Sequence, residues 1–156
     1  MYRLENLIPP PAVLLFTLVS MFFISRFDRA RILYAKDFSL NALLATVLVV
    51  TGLVITVLAI KLFKINQTTV NPLRPDAATF MVTTGVFKLT RNPMYLSMVL
   101  FSLSSVVFFG SAWCLIAVAG FVAFMVRFQI IPEERAMEAL FGKDFTEYKA
   151  NTRRWI

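Results

Sequence analysis

The run MYLSMVLFSLSSVVFFGSAWCLIAVAGFVAFMVRFQII, Met94 to Ile131, is 38 residues long and almost uninterrupted in its apolar side chains. A helix needs about 20 such residues to cross a bilayer, so this run is too long for one crossing and about right for two tight ones. Gly110-Ser111 is the turn signal near its middle. The expectation is a helical hairpin, with spans over 94–109 and 112–131 and Pro132 stopping the second.

Immediately before the run stands Gly85-Val-Phe-Lys-Leu-Thr-Arg-Asn-Pro-Met-Tyr95, a polar loop with two cations that turns apolar within three residues. Asn92 is a good N-cap residue, and Pro93 suits the first helical position because its missing N–H would be unpaired there anyway. The residue before a proline is biased away from helix, so a helix is expected to begin at Pro93. Its N-terminal N–H groups and dipole, beside Arg91 and Lys88, form a plausible seat for an anion.

Further outward, Leu40 to Phe63 is the clearest span, and Ile8 to Ser25 is a shorter apolar run opened by Pro9-Pro10-Pro11. A signal peptide is disfavoured for the latter, because Arg3 is balanced by Glu5 and Ser25-Arg26-Phe27 does not resemble a small-residue cleavage site. Residues 26–39 form a charged loop. Residues 64–91, with two prolines and little helical periodicity, read as an ordered surface loop. After Ile131 the character changes. Met137, Leu140, Phe141, Phe145, Tyr148, Thr152 and Trp155 recur at three- and four-residue spacing among charged residues, an amphipathic pattern that Gly142 is expected to break into two short helices on the membrane surface.

The class is all-α, a polytopic membrane protein of about four spans (8–25, 40–63, 94–109, 112–131) with a C-terminal segment over 132–156, all one domain. Composition agrees: 58% of the 156 residues are hydrophobic and mean hydropathy is +0.72. The net charge of +7 is then read as topology signal and lipid-headgroup contact, and no nucleic-acid partner is expected. Four spans place 12 Lys and Arg on the side of the N-terminus, the 64–93 loop and the tail, against 4 in the 26–39 loop. The positive-inside rule makes the 12-cation side cytoplasmic.

Histidine is absent and Cys114, the single cysteine, lies inside an apolar run. That excludes an internal disulfide, a Cys/His zinc site and Ser-His or Cys-His nucleophilic machinery, and no metal is expected. Chemistry would fall to carboxylates, arginines, hydroxyls or a bound cofactor. Glu133-Glu134-Arg135 sits where the last span meets the surface, on the same side as Arg91-Asn92-Pro93 and Arg153-Arg154. Paired carboxylates there could serve as acid and base, bind a cation, or simply favour a helix start.

Thr68-Thr69-Val70-Asn71-Pro72, then Gly85, then Arg91-Asn92-Pro93-Met94-Tyr95-Leu96, followed by Glu133-Glu134-Arg135, Phe141-Gly142, Tyr148 and Arg153-Arg154-Trp155, resembles the isoprenylcysteine carboxyl methyltransferase family, in the wider group with phospholipid N-methyltransferases. The resemblance spans about residues 8–156. It departs at Asn92, where many eukaryotic members have histidine, and at Phe145, where tyrosine is common. It implies S-adenosyl-L-methionine as donor and S-adenosyl-L-homocysteine as product, with the donor between the last spans and the tail. By position, Arg91, Asn92, Pro93, Tyr95, Glu133, Glu134, Tyr148 and Arg153 would form the cofactor site, with Arg91, Glu134 and Arg154 acting in catalysis. It also implies a bilayer partner, a lipophilic or lipid-borne acceptor, and a prokaryotic inner or plasma membrane with both termini and the site cytoplasmic. Gly and Ser in the hairpin would permit packing against another copy.

The donor chemistry suits these residue types. Arginine takes a carboxylate bidentately, carboxylates take an ammonium or hydroxyls, and aromatics flank adenine. Carboxylate O-methylation, the leading expectation, needs no base because the nucleophile is already ionised, so positioning and water exclusion would supply most of the rate. An amine acceptor would require a proton acceptor from Glu133, Glu134 or Tyr148. A catalytically silent scaffold is the non-enzymatic alternative. A transporter is disfavoured, since ionisable groups in the spans are confined to Lys61 and Arg127 near the ends.

Overall fold

The computed structural model describes residues 5–28, 38–68 and 78–156. Most of the charged 26–39 loop and the Asn71-Pro72 part of the 64–91 loop, with Thr69 and Val70, lie outside the described residues, as does Arg3. The described chain forms five helices, α1 (Pro10–Phe27), α2 (Phe38–Ile65), α3 (Pro93–Phe109), α4 (Cys114–Met125) and α5 (Ile131–Asn151), with a 3-10 turn at Gly85–Lys88. A π turn, Val126–Ile130, joins α4 to α5 so that the helix runs unbroken through the join.

Three helical stretches are long and apolar enough to cross a membrane: Pro10–Phe27, Phe38–Ile65 and Cys114–Asn151, whose apolar part ends at Ile131. The 17-residue α3 is apolar but shorter. This is an all-α polytopic membrane fold. Its solvent preference is inverted relative to a soluble protein. Phe16, Leu43 and Ile116 point outward at 60% exposure or more, while Ser97, Ser102, Ser111 and Gln129 are fully buried. Lipid replaces water outside, so apolar side chains face outward without cost and polar ones are retained where partners exist.

The central helix is α3, which packs against α1, α2 and α4. Small residues make close approach feasible. A Cβ on Gly52 of α2 would fall 2.6 Å from the Phe101 ring of α3. The buried serines Ser97 and Ser102 donate to carbonyls four residues back, Pro93 and Met98, so their hydroxyls need no partner across the interface. The two ends are tied separately. Asn41 of α2 donates to Val107 O, and Ser111 in the α3–α4 turn donates to Asp28 at the end of α1, 2.5 Å away. At the opposite end Phe63 of α2 packs edge-on against Phe87.

The expected helix start at Pro93 is present, but Asn92 does not cap it through its side chain. Its amide is drawn instead to the C-terminal tail, donating to Arg154 O at 2.9 Å. The hairpin turn also falls as expected, with Gly110 in the left-handed conformation, although α4 begins at Cys114 rather than 112. Relative to the expected spans, α1 is displaced toward Phe27 and α2 is extended at both ends.

The larger correction concerns Pro132, which does not stop the helix where the apolar run ends. The helix passes through it to the break at Gly142, beyond which helical structure resumes to Asn151. A proline costs a helix the hydrogen bond to the carbonyl four residues back, here that of Phe128. That carbonyl takes the Asn6 N–H instead, at 3.0 Å. Gly142 does break the helix as expected, at φ 51° and ψ −118°, and the segment beyond it returns Phe145 and Tyr148 toward the other helices.

Candidate active site

The tail is fastened to the start of α3 by a ladder of bonds. Arg91 N–H donates to Arg153 O at 3.0 Å, and the Thr90 hydroxyl donates to Arg154 O at 3.1 Å while accepting the Asn92 N–H. The Arg91 guanidinium donates from Nη1 to the carbonyls of Lys149 (2.8 Å) and Thr152 (2.9 Å), and from Nη2 to Glu134 Oε1 (2.9 Å). Arg154 takes Glu134 from the other side, Nε to Oε1 at 3.1 Å and Nη2 to Oε2 at 2.6 Å. Trp155 packs beneath, against the cluster of Tyr95, Phe121, Met125 and Ile130. Tyr148 donates to Phe87 O at 2.6 Å, joining the tail to the 3-10 turn.

These contacts close one end of a cavity of about 370 Å³, within the range of roughly 300–1,000 Å³ usual for small-molecule sites. Arg91, Asn92, Pro93, Tyr95, Glu133, Glu134 and Tyr148 line it. Seven of the eight residues expected to form the cofactor site therefore share one wall system. Arg153 does not line it. Its side chain is exposed and its carbonyl is what the site uses. Arg154 also stands outside the lining and reaches the site through Glu134.

Adjacent residues on a helix point about 100° apart, and the carboxylate pair divides accordingly. Glu134 is held between two guanidiniums. Burial alone would raise its carboxyl, but the hydrogen bonds and charges of Arg154 and Arg91 keep it below its ordinary 4.5. Glu133 faces the other way, and its carboxylate accepts a short hydrogen bond from the Tyr95 hydroxyl. Burial, with the Glu134 charge adding to it, pushes Glu133 up to about 8 even against the Tyr95 bond. Burial likewise pushes the Tyr148 hydroxyl up to about 12 despite the Arg91 charge. One residue of the pair is thus a fixed anion at neutral pH, and its neighbour is a carboxyl poised to exchange a proton.

The rest of the lining is apolar and adaptable. Met81, Met94, Met98 and Met137 contribute, together with Phe80, Phe87 and Phe145. Unbranched methionines fill irregular spaces and accept varied shapes. Sequence reasoning did not single out Met81 and Met98, nor Pro10 and Pro11 as wall residues. Met98 follows Tyr95 at helical spacing of three, a local signal that names the face but not the cavity. Nothing local in the sequence pointed to Thr90 as the bridge between loop and tail.

The fold and cavity describe an integral membrane protein with a carboxylate-bearing chamber at one end of its helices. Residues 40–144, more than half of the chain, match the phospholipid methyltransferase family, and the chain belongs to that family. The matched stretch includes Arg91 and both glutamates, while Tyr148 and the terminal arginines lie beyond it. An uncharacterized protein of Haemophilus influenzae is 35% identical over 63 residues, covering 40% of this chain and all of that protein. No solved structure matches. Membership makes this a membrane methyltransferase by family.

Proposed function

We propose that the cavity binds S-adenosyl-L-methionine and that the protein methylates the amine of a lipid-borne acceptor. The observation that carries the choice of acceptor is the state of Glu133. It lines the cavity, and its partner is a tyrosine hydroxyl, whereas both nearby guanidiniums are committed to Glu134. An acid side chain whose ionised form has no cation beside it favours a cationic or proton-bearing ligand over an anionic one.

The chain's residues fit the donor. Arg91 Nε is a buried N–H without a partner on a side chain lining the cavity, suited to the donor's carboxylate end. Phe87, Phe145 and Tyr148 offer ring faces for adenine. When bound, the donor supplies a methyl group whose C–S bond breaks, leaving the electron pair on a neutral thioether, as the acceptor nitrogen forms the new C–N bond. Glu133 takes the proton that the nitrogen must lose. A carboxyl near 8 accepts that proton far better than an ordinary one near 4.5, since proton transfer is most efficient when the catalytic group titrates close to the working pH. Tyr95 aims that carboxylate, and Glu134 with its two arginines holds the tail over the chamber.

Carboxylate O-methylation of the isoprenylcysteine type is the second reading, and Arg91 Nε is what favours it, as an unspent donor for an acceptor carboxylate. Both place the site on the cytoplasmic face, in keeping with the distribution of Lys and Arg.

The test has two arms. Calorimetric titration of the purified protein with S-adenosyl-L-homocysteine should give saturable heat, and its absence overturns the donor assignment. Labelled methyl transferred into a membrane extract should then be base-stable, as on an amine. A base-labile label, as on an ester, overturns the amine and establishes the second reading.

A further inference from the structure

Four polar contacts join residues 5–8 to the helical segment that carries the carboxylate pair. Asn6 N–H serves the Phe128 carbonyl that Pro132 leaves without a donor, and Gln129 Nε2 donates to Ile8 O at 2.9 Å. Glu5 receives Arg127 on Oε1 at 2.9 Å and Arg135 on Oε2 at 2.6 Å. Glu5 does not line the cavity, so direct contact with a ligand there does not explain it.

Arg127 and Arg135 are eight residues apart, which in an uninterrupted α-helix places them about 80° apart around the axis. Between them lies the π turn, in which Ile131 N–H reaches back five residues to Val126 O. Such a turn absorbs one extra residue, so the two arginines behave as if seven apart and fall within about 20° of one another. That alignment suits their convergence on one carboxylate. The same extra residue rotates Glu133 by about 100° relative to the α4 face that packs Phe121 and Met125 against Tyr95. The rotation that aligns the arginines is therefore the rotation that brings Glu133 to the Tyr95 hydroxyl.

We infer that Glu5 is a positioning residue of this site: by engaging Arg127 and Arg135 together it holds the π turn in register, and with it Glu133 on Tyr95. The inference rests on the reading of the cavity as the methyl-transfer site. It extends that reading to a segment more than 120 residues away in sequence. The arginines paired with Glu5 are distinct from those on Glu134, so the strap and the Glu134 clamp use separate side chains of the same helical segment.

The experiment uses the full chain in lipid nanodiscs, with Glu5→Gln, the milder Glu5→Asp, and the swap Glu5→Arg with Arg127→Glu and Arg135→Glu. Amide hydrogen exchange is read first, because it needs no ligand. Residues 129–135 should exchange on the order of tenfold faster in Glu5→Gln, with α4 unchanged and the swap restoring protection. Unchanged exchange in both single variants overturns the proposal. Methyl transfer is read second, in a cycle with Glu133→Gln. Glu5→Gln should lower the rate on the order of tenfold with little change in donor KM, and the double variant should be no slower than Glu133→Gln alone. Additive losses would make Glu5 merely structural and overturn the positioning role. If wild type binds no S-adenosyl-L-homocysteine, the methyltransferase reading fails, and the exchange arm still decides whether Glu5 holds the turn.

Discussion

Arg91 and Glu134, 43 residues apart in sequence, meet at 2.9 Å with both side chains about nine-tenths buried. Arg154 completes the group from the tail, which makes Glu134 the point where the start of α3, the polar end of the long helix and the C-terminus are joined. A charge so placed stabilises only while its partners remain, because desolvation of each ion is offset by the others.

Glu134→Gln keeps the shape and removes the charge, leaving two guanidiniums without their anion. The expected cost is about 3 kcal/mol, in the range for breaking one side of a buried pair. Chemical denaturation in detergent micelles checks it. A cost within a few tenths of a kcal/mol, like that of an exposed surface pair, would show that the clamp does not hold the tail.

The two glutamates should leave opposite marks on stability against pH. Glu134 is held below 4.5 in the folded protein, so its contribution is fully present above that value and is lost as pH falls through the folded value. Glu133 is raised to about 8, so the folded state holds its proton more tightly than the unfolded chain does. Stability therefore declines as pH rises from about 4.5 to about 8 and then levels. Glu133→Gln should flatten that decline and leave the acid limb in place, whereas Glu134→Gln should do the reverse. Melting temperatures measured from pH 4 to 9 decide it, and parallel curves for the two variants would refute the assignment. Tyr95→Phe, which removes the hydroxyl that favours the ionised carboxylate, should move the upper end of the decline to higher pH.

Gly142 has open space around its α-carbon but sits at φ +51° and ψ −118°, where L side chains are strained. Gly142→Ala should cost on the order of 1–3 kcal/mol or straighten the helix. Straightening would carry Phe145 and Tyr148 off the cavity wall. On the proposed donor assignment, affinity for S-adenosyl-L-homocysteine should then fall at least several-fold, and unchanged affinity would mean that the kink does not shape the binding of that ligand.

Much of this was legible in the chain. Spans, hairpin turn, helix start at Pro93 and break at Gly142 follow from side-chain hydropathy and the backbone limits of proline and glycine, which act within a few residues. The residue types of the site, and the grouping of Arg91, Tyr95, Glu133 and Tyr148, were also legible, through motif order.

Pro132 was misread for a reason that lies 126 residues away: the carbonyl it deprives is satisfied by Asn6, and the π turn lets the helix continue. Asn92 has the composition of a cap, yet its side chain is claimed by Arg154 O. Arg153 and Arg154 are equivalent as letters, but only the second turns its guanidinium to Glu134. The sequence by itself determined where the chain is apolar, where it must turn and which groups could ionise, because those are properties of residues and their immediate neighbours. Which glutamate is clamped and which is free to exchange a proton was decided by tertiary structure alone. That choice depends on helix rotation to within a fraction of a turn, and the rotation is set by contacts between segments far apart in the chain.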